Sequence, residues 1–222
     1  MNVTIIQHAP ASGPGLIASY IESQGWNWRA VTPDDIDEPG LVEKSDAFVF
    51  LGAAAHVYET HIDWVVRERA LMRNLLKDSA PVFGVCFGAQ LIAIEGGGNV
   101  VPTGGRFEAW TANDTVKSET WRGEWLRFHG DSISVRPGVD VLAADGGIIQ
   151  GLRDGTAVGA QFHPEVSSAV LREWGTHPYF DDPDRRKRLN TAIDYAEQNA
   201  SLVQQRAYAL LDQAFDMMLG KL

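Results

Sequence analysis

Pro81-Val82-Phe83-Gly84-Val85-Cys86-Phe87-Gly88-Ala89-Gln90-Leu91-Ile92-Ala93-Ile94 joins an apolar run to a helical pattern through the only cysteine of the chain. Pro81 to Val85 reads as a short buried strand, and Gly88 to Ile94 as the start of a helix that stops at Gly96-Gly97-Gly98. Strand, G-x-C-x-G turn and helix in that order form the cysteine version of a nucleophile elbow. So sharp a turn crowds its flanking side chains and strains the backbone of its central residue, and glycine at 84 and 88 removes the crowding. At the head of the helix, unpaired N–H groups and the helix dipole favour a thiolate on Cys86. The competing reading of a lone cysteine is a small buried hydrophobe.

The flanking segments set the fold. Val3 to Gln7 reads as a strand, followed by a helix from about Gly15 to Gln24 with Pro14 before it and Gly25 as its stop. Asn27 to Val31 and Ala47 to Leu51 read as strands, and Ile62 to Lys77 as a long helix with Val65, Val66, Leu71, Leu75 and Leu76 apolar. This alternation predicts an α/β fold with a flavodoxin-like, doubly wound, mostly parallel central sheet. Between Val100 and Gln161 short strands are separated by Gly, Asp and Pro, with turns at Arg136-Pro137-Gly138 and Asp145-Gly146-Gly147. That pattern predicts antiparallel strands added to the sheet. From Asp184 to Leu219 a long C-terminal helical segment carries Leu189, Ile193, Ala196, Ala200, Val203, Ala207, Leu210 and Phe215 at core-packing spacing. No repeat or flexible linker divides the chain, so residues 1–222 are expected to form a single domain.

A second motif bears on Cys86. After the expected strand Thr156 to Phe162 comes His163-Pro164-Glu165. A cysteine nucleophile needs a base for its proton, and the base needs a partner that fixes its tautomer and stabilises the imidazolium. His163 and Glu165 suit those roles, and Pro164 forbids the strand from continuing, which leaves both side chains at a strand end. In open α/β sheets the carboxyl ends of the strands form the ligand crevice, where the two motifs converge. Either motif alone also reads as ordinary loop structure.

Composition narrows the function classes. The 222 residues are 45% hydrophobic and 22% charged, ordinary for a soluble globular chain. A formal charge of −10 argues against a nucleic-acid partner. The basic run Arg185-Arg186-Lys187-Arg188 lies beside Asp181, Asp182 and Asp184 and reads as a solvated helix start. No apolar stretch is long enough to span a bilayer and no basic leader precedes the first apolar run, so neither membrane nor secretion is expected. One cysteine allows no internal disulfide and suits a cytoplasmic location. His8, His61 and His177 have no metal-ligand spacing; no metal and no cofactor is expected.

Gly-Val-Cys-Phe-Gly-Ala-Gln followed by Gln-Phe-His-Pro-Glu resembles the triad signature of class I glutamine amidotransferases, nearest to stand-alone proteins similar to the glutaminase domain of GMP synthetase. The likeness extends over nearly the whole chain, through Val57-Tyr58-Glu59, Glu108 in Phe-Glu-Ala-Trp, His129-Gly130-Asp131 and Trp174. The resemblance implies a Cys86, His163, Glu165 triad that hydrolyses the side-chain amide of glutamine through a thioester. It implies oxyanion donors at the backbone N–H groups of Phe87 and Ala53. Gly52, Gln90 and Asp131 fall at substrate-binding positions. The chain departs from the family at the oxyanion loop, where Gly52-Ala53-Ala54-Ala55-His56 replaces the usual Gly-Gly-Pro. Alanine reaches φ > 0 less cheaply than glycine, so a peptide flip there would be harder. Losing one oxyanion donor costs about 3 kcal/mol of transition-state stabilisation. His56 itself reads as an exposed loop histidine.

Three functions follow from these residues. One is a glutaminase that hands ammonia to a separate synthase chain, since no P-loop G-x-x-x-x-G-K-[ST] is present. Another is a stand-alone γ-glutamyl hydrolase or peptidase acting on another γ-glutamyl compound, for which Trp26, Trp28, Trp110, Trp121 and Trp125 offer apolar lining or, alternatively, packing. The last is a catalytically weak binding or regulatory module of the same fold.

Overall fold

Strands that are apolar on both faces form the centre of the sheet. The computed structural model describes residues 1–222. In it β1 (Asn2–Ile6), β3 (Ala47–Phe50), β4 (Val82–Val85) and β10 (Ala157–Ala160) are buried almost end to end. Such continuously apolar strands belong to a parallel sheet covered on both sides. With β2 (Asn27–Val31) on the edge, they pair in parallel in the order β2-β1-β3-β4-β10. β9 (Ile148–Asp154), β8 (Asp140–Asp145) and β6 (Thr115–Val116) then extend the same sheet antiparallel. The expected α/β architecture is thus present, with the added antiparallel strands where they were anticipated.

Strand alternation divides the core in two. Val3, Ile5, Val49, Phe83 and Val85 face one side, where α1 (Gly15–Ser23) contributes Ile17 and Ile21. Phe48, Phe50 and Val82 face the other, under Val65 and Met72 of α2 (Asp63–Lys77) and Leu91 and Ile92 of α3 (Phe87–Glu95). A third cluster joins Leu126 of β7 (Glu124–Ser134), Leu171 and Trp174 of α4 (Ser168–Trp174), and Phe180.

Several expectations need correction. β5 (Asn99–Ala112) and β7 do not join the main sheet; they form a separate two-stranded antiparallel ribbon with a register shift between Pro102 and Phe107. The C-terminal segment is two helices, α5 (Pro183–Gln198) and α6 (Ala200–Met218), broken at Asn199, whose side-chain amide donates to the Tyr195 carbonyl. The break has a packing cause. Leu189, Ala192 and Ala196 bury into the third cluster, whereas Leu210, Leu211 and Phe215 bury against the first sheet face, and one straight helix cannot serve both. Ala200 and Val66 are exposed rather than buried. The basic run is engaged, not merely solvated: the Arg185 guanidinium lies 4.1 Å from the Tyr179 ring centre, Arg186 Nε donates to the Phe180 carbonyl, and Arg188 pairs with Glu108. The tryptophans pack. Trp121 and Trp125 are buried against Phe162, Trp26 and Trp28 lie against the same cluster, and Trp110 stacks on Tyr195. No helix is long and apolar enough to cross a membrane.

Candidate active site

Cys86 follows β4, between β3 and β10, and its N–H donates to the Ala160 carbonyl at 2.8 Å. Its backbone sits at φ 51°, ψ −101°, and α3 begins at the next residue. A non-glycine residue held there stores roughly 1–3 kcal/mol of strain that the surroundings must hold in place. The flanking glycines are obligatory. A Cβ on Gly84 would come within 2.4 Å of the Gly88 carbonyl carbon, and one on Gly88 within 2.3 Å of the Phe50 carbonyl oxygen. The elbow read from the sequence is therefore present, with Phe87 in the first helical turn, where backbone N–H groups lack intrahelical partners.

β10 delivers the second motif. Beyond Ala160 the chain runs on to His163, whose N–H donates to the Leu126 carbonyl at 2.9 Å. The His163 Nδ1 lies 2.8 Å from Glu165 Oε1, and both side chains are buried. Trp174 closes one flank of the imidazole edge-on, with ring centres 5.0 Å apart. Burial alone would lower the histidine pKa, but the Glu165 carboxylate and Cys86 outweigh it and raise it to about 10. Nε2 makes no hydrogen bond within the protein, and Cys86 lies close enough to help raise the His163 pKa. The start of α1 clamps this turn from behind: Leu16 N–H donates to the Glu165 carbonyl, and a Cβ on Gly15, at φ 45°, would lie 2.2 Å from that oxygen.

The loop after β3 crosses over the pair. A Cβ on Gly52 would lie 3.1 Å from His163 Cε1 and 3.6 Å from Cys86 Cβ. Ala53 lies outside the left-handed region, and its N–H makes no hydrogen bond within the protein. The alanine thus carries no positive-φ strain in this conformation.

Gln90 is buried in α3, and its Nε2 lies 3.4 Å from Gln161 Oε1, while Gln161 Nε2 lies 3.7 Å from Cys86 Sγ. The Phe128 carbonyl oxygen is 3.9 Å from the same sulfur. Asp131, three residues on, is buried and already partnered: His56 Nδ1 is 2.7 Å from Oδ2 and the Tyr58 hydroxyl donates to Oδ1 at 3.1 Å. Burial and then Asp131 push the Tyr58 hydroxyl up to about 12. His56 is thus not a free loop residue; its ring stacks on Tyr58 at 5.0 Å. His129 is buried and held neutral, its pKa lowered by burial to about 4, with Nδ1 donating to the Asp131 carbonyl.

The structure brings together Gly52, Ala53, Cys86, Phe87, His163 and Glu165, with Gln90 behind the sulfur and Asp131 under the 56–58 loop. Two features escaped the sequence reading. Gln161 touches the sulfur, and its signal was its place at the end of the strand that leads to His163. His8 and Glu68 form a buried pair, His8 Nε2 lying 3.0 Å from Glu68 Oε1. Its signal was an acid within the buried stripe Val65, Glu68, Met72, Leu75 of α2.

Known proteins resemble this chain in sequence and in fold. The family model for glutamine amidotransferase class-I matches residues 15–182. A glutamine-hydrolyzing GMP synthase of Pyrobaculum aerophilum is 30% identical over 159 residues, covering 68% of this chain and 30% of that protein. A γ-glutamyl-L-1-hydroxyisopropylamide hydrolase of a Pseudomonas species is 26% identical over 151 residues, covering 58% of this chain and 51% of that one. The chain spans about a third and about half of the length of these two relatives. Among solved structures, a glutamine amidotransferase from Thermotoga maritima superposes with a TM-score of 0.85 at 21% identity, covering 97% of this chain and 98% of that one. One from Methylobacillus flagellatus gives 0.77 at 19%, covering 100% and 95%. At these identities the structures speak for the fold, and the family match speaks for the lineage: the chain belongs to the class I glutamine amidotransferase family.

Proposed function

We propose that the chain is a glutaminase of the cysteine-nucleophile type, which hydrolyses the side-chain amide of glutamine to glutamate and ammonia. The observation that carries this reading is the strained Cys86 beside a buried His163 whose Nδ1 lies 2.8 Å from Glu165 Oε1. A cysteine sulfur and an imidazole in that relation supply a nucleophile and a proton-transfer group for acyl transfer.

Cys86 Sγ attacks the amide carbon, and the carbonyl oxygen becomes an oxyanion facing the N–H groups of Phe87 and Ala53. His163 passes its proton to the departing nitrogen, the C–N bond breaks, and ammonia leaves. A glutamyl thioester remains on Cys86. His163, now neutral, takes a proton from water, which attacks the thioester and releases glutamate. Glu165 fixes the tautomer throughout and stabilises each imidazolium. Asp131, a buried carboxylate, suits the α-ammonium of glutamine, while Gly52 packs beside Cys86 Cβ and Gln90 backs Gln161, whose amide touches the sulfur.

A relative named as component 2 of anthranilate synthase favours an ammonia-accepting partner on a separate chain. The Pseudomonas hydrolase favours a second reading, another γ-glutamyl amide as substrate, by the same triad. Glutamate release from free glutamine by the purified chain, with Cys86→Ala as the blank, tests the first reading. Turnover that depends on Cys86 supports it. Cleavage of γ-glutamyl amides in preference to glutamine transfers the site to the second.

A further inference from the structure

His8 stands at the carboxyl end of β1 with both ring nitrogens engaged. Nδ1 is 3.1 Å from the Gly52 carbonyl oxygen, and Nε2 is 3.0 Å from both oxygens of Glu68. The His8 side chain is 4% exposed and that of Glu68 is 0% exposed. An ionisable pair so enclosed is costly to bury unless its geometry is well satisfied. The ring is further fixed between Trp64 at 5.3 Å and Phe87 at 5.2 Å. A carbonyl oxygen only accepts, so Nδ1 carries a proton toward Gly52 whichever of Nε2 and Glu68 holds the shared one.

The consequence lies across the peptide bond. All peptide bonds here are trans, so the N–H of Ala53 points opposite to the C=O of Gly52. With the carbonyl tied to His8 on one side of the loop, the amide is turned to the other side. That Ala53 N–H has no partner within the protein, and Gly52 lies against Cys86 and His163. His8 also touches Phe87, the residue that carries the other oxyanion donor.

We propose that the buried His8–Glu68 pair is a positioning device that locks the Gly52–Ala53 peptide with its N–H aimed into the oxyanion site. The loop then needs no peptide flip, and the alanine that replaces the family's second glycine loses nothing. This inference rests on the acyl-transfer reading of Cys86, not on glutamine as the substrate.

The test therefore uses two reagents that attack the same sulfur. Iodoacetamide alkylates Cys86 by displacement of iodide at a saturated carbon and builds no oxyanion. In p-nitrophenyl acetate Sγ adds to the ester carbonyl, the oxyanion forms, p-nitrophenolate leaves and the acetyl group stays on sulfur. In the full-length His8→Leu/Glu68→Leu variant no buried charge is left unpaired. Its p-nitrophenolate burst should slow about 100-fold, as for loss of one oxyanion donor. Alkylation should stay within about threefold of wild type, since no oxyanion is formed in it. His8→Asn/Glu68→Leu, which returns an N–H donor at the Nδ1 position, should recover at least tenfold of the burst rate by the same argument. An unchanged burst in the folded Leu/Leu variant overturns the proposal, and so does a parallel fall of burst and alkylation. A Leu/Leu variant that does not fold passes the test to the Asn/Leu variant, in which a burst slowed together with alkylation also overturns it. Failure of the wild type to hydrolyse glutamine, with these outcomes intact, counts against the substrate reading alone.

Discussion

Gly84 and Gly88 meet across the elbow so closely that a Cβ on Gly84 would lie 2.4 Å from the Gly88 carbonyl carbon and 2.5 Å from its oxygen. Backbone atoms cannot move aside as a flexible side chain would. Gly84→Ala and Gly88→Ala should each cost about 3 kcal/mol, the upper end for overpacking. For a chain of this size that corresponds to a fall of roughly 6–12 °C in the unfolding midpoint. Gly13→Ala, where nothing lies within 4 Å of the added methyl, is the matched control. Equal midpoints for all three would contradict the close packing of the elbow.

Glu165 acts through His163, so its replacement separates orientation from chemistry. Glu165→Gln keeps the shape of the 2.8 Å contact but removes the charge that holds the imidazolium. The rate of glutamate release should fall by about 10³-fold or more, since a triad that loses its acid leaves the histidine in the wrong tautomer. Cys86→Ala should abolish release altogether. Glutamate assayed under single-turnover conditions reads both, and residual release by Cys86→Ala would remove the thioester from the mechanism.

Asp131 is assigned to the α-ammonium of the substrate while His56 and Tyr58 hold its two oxygens. Asp131→Asn keeps its size and takes away its charge. Loss of a hydrogen bond to a charged group costs about 1.5–3 kcal/mol, which is a rise of about 10- to 100-fold in KM. The turnover number should change far less, because the ammonium lies away from the reacting carbon. A fall in kcat with KM unmoved would place Asp131 elsewhere in the reaction.

How much of this was legible in the sequence depended on whether the signal was local. The elbow and the His-Pro-Glu turn could be read because strand, glycine and proline patterns act over a few residues. Their convergence followed from the topology of parallel sheets. The split at Asn199 was not legible, since α5 and α6 each continue the same helical period and only their different packing partners separate them. Nor was the β5–β7 ribbon, because alternation along a strand does not say which sheet it joins. His8 and Glu68 are 60 residues apart and meet only in the folded chain. Glu68 nevertheless carried a trace of its role, as a charge where the helix stripe called for an apolar residue.

His129 and His163 pull the pH dependence of stability in opposite directions. Burial lowers His129 from 6.5 to about 4. Between those values the unfolded chain binds the extra proton, so the contribution of His129 is complete above pH 6.5 and is lost as pH falls through about 4. His163 is buried too, but Glu165 and Cys86 raise it from 6.5 to about 10. Here the folded chain holds the extra proton, so its contribution is complete below pH 6.5 and is lost as pH rises through about 10. Together they place the stability maximum near pH 6.5. Urea midpoints measured across that range should fall on both sides of it. His129→Asn, whose amide can still donate to the Asp131 carbonyl, should flatten the acid side and leave the alkaline side steep. Midpoints that keep rising to pH 9 would mean that His163 is neutral in the folded chain.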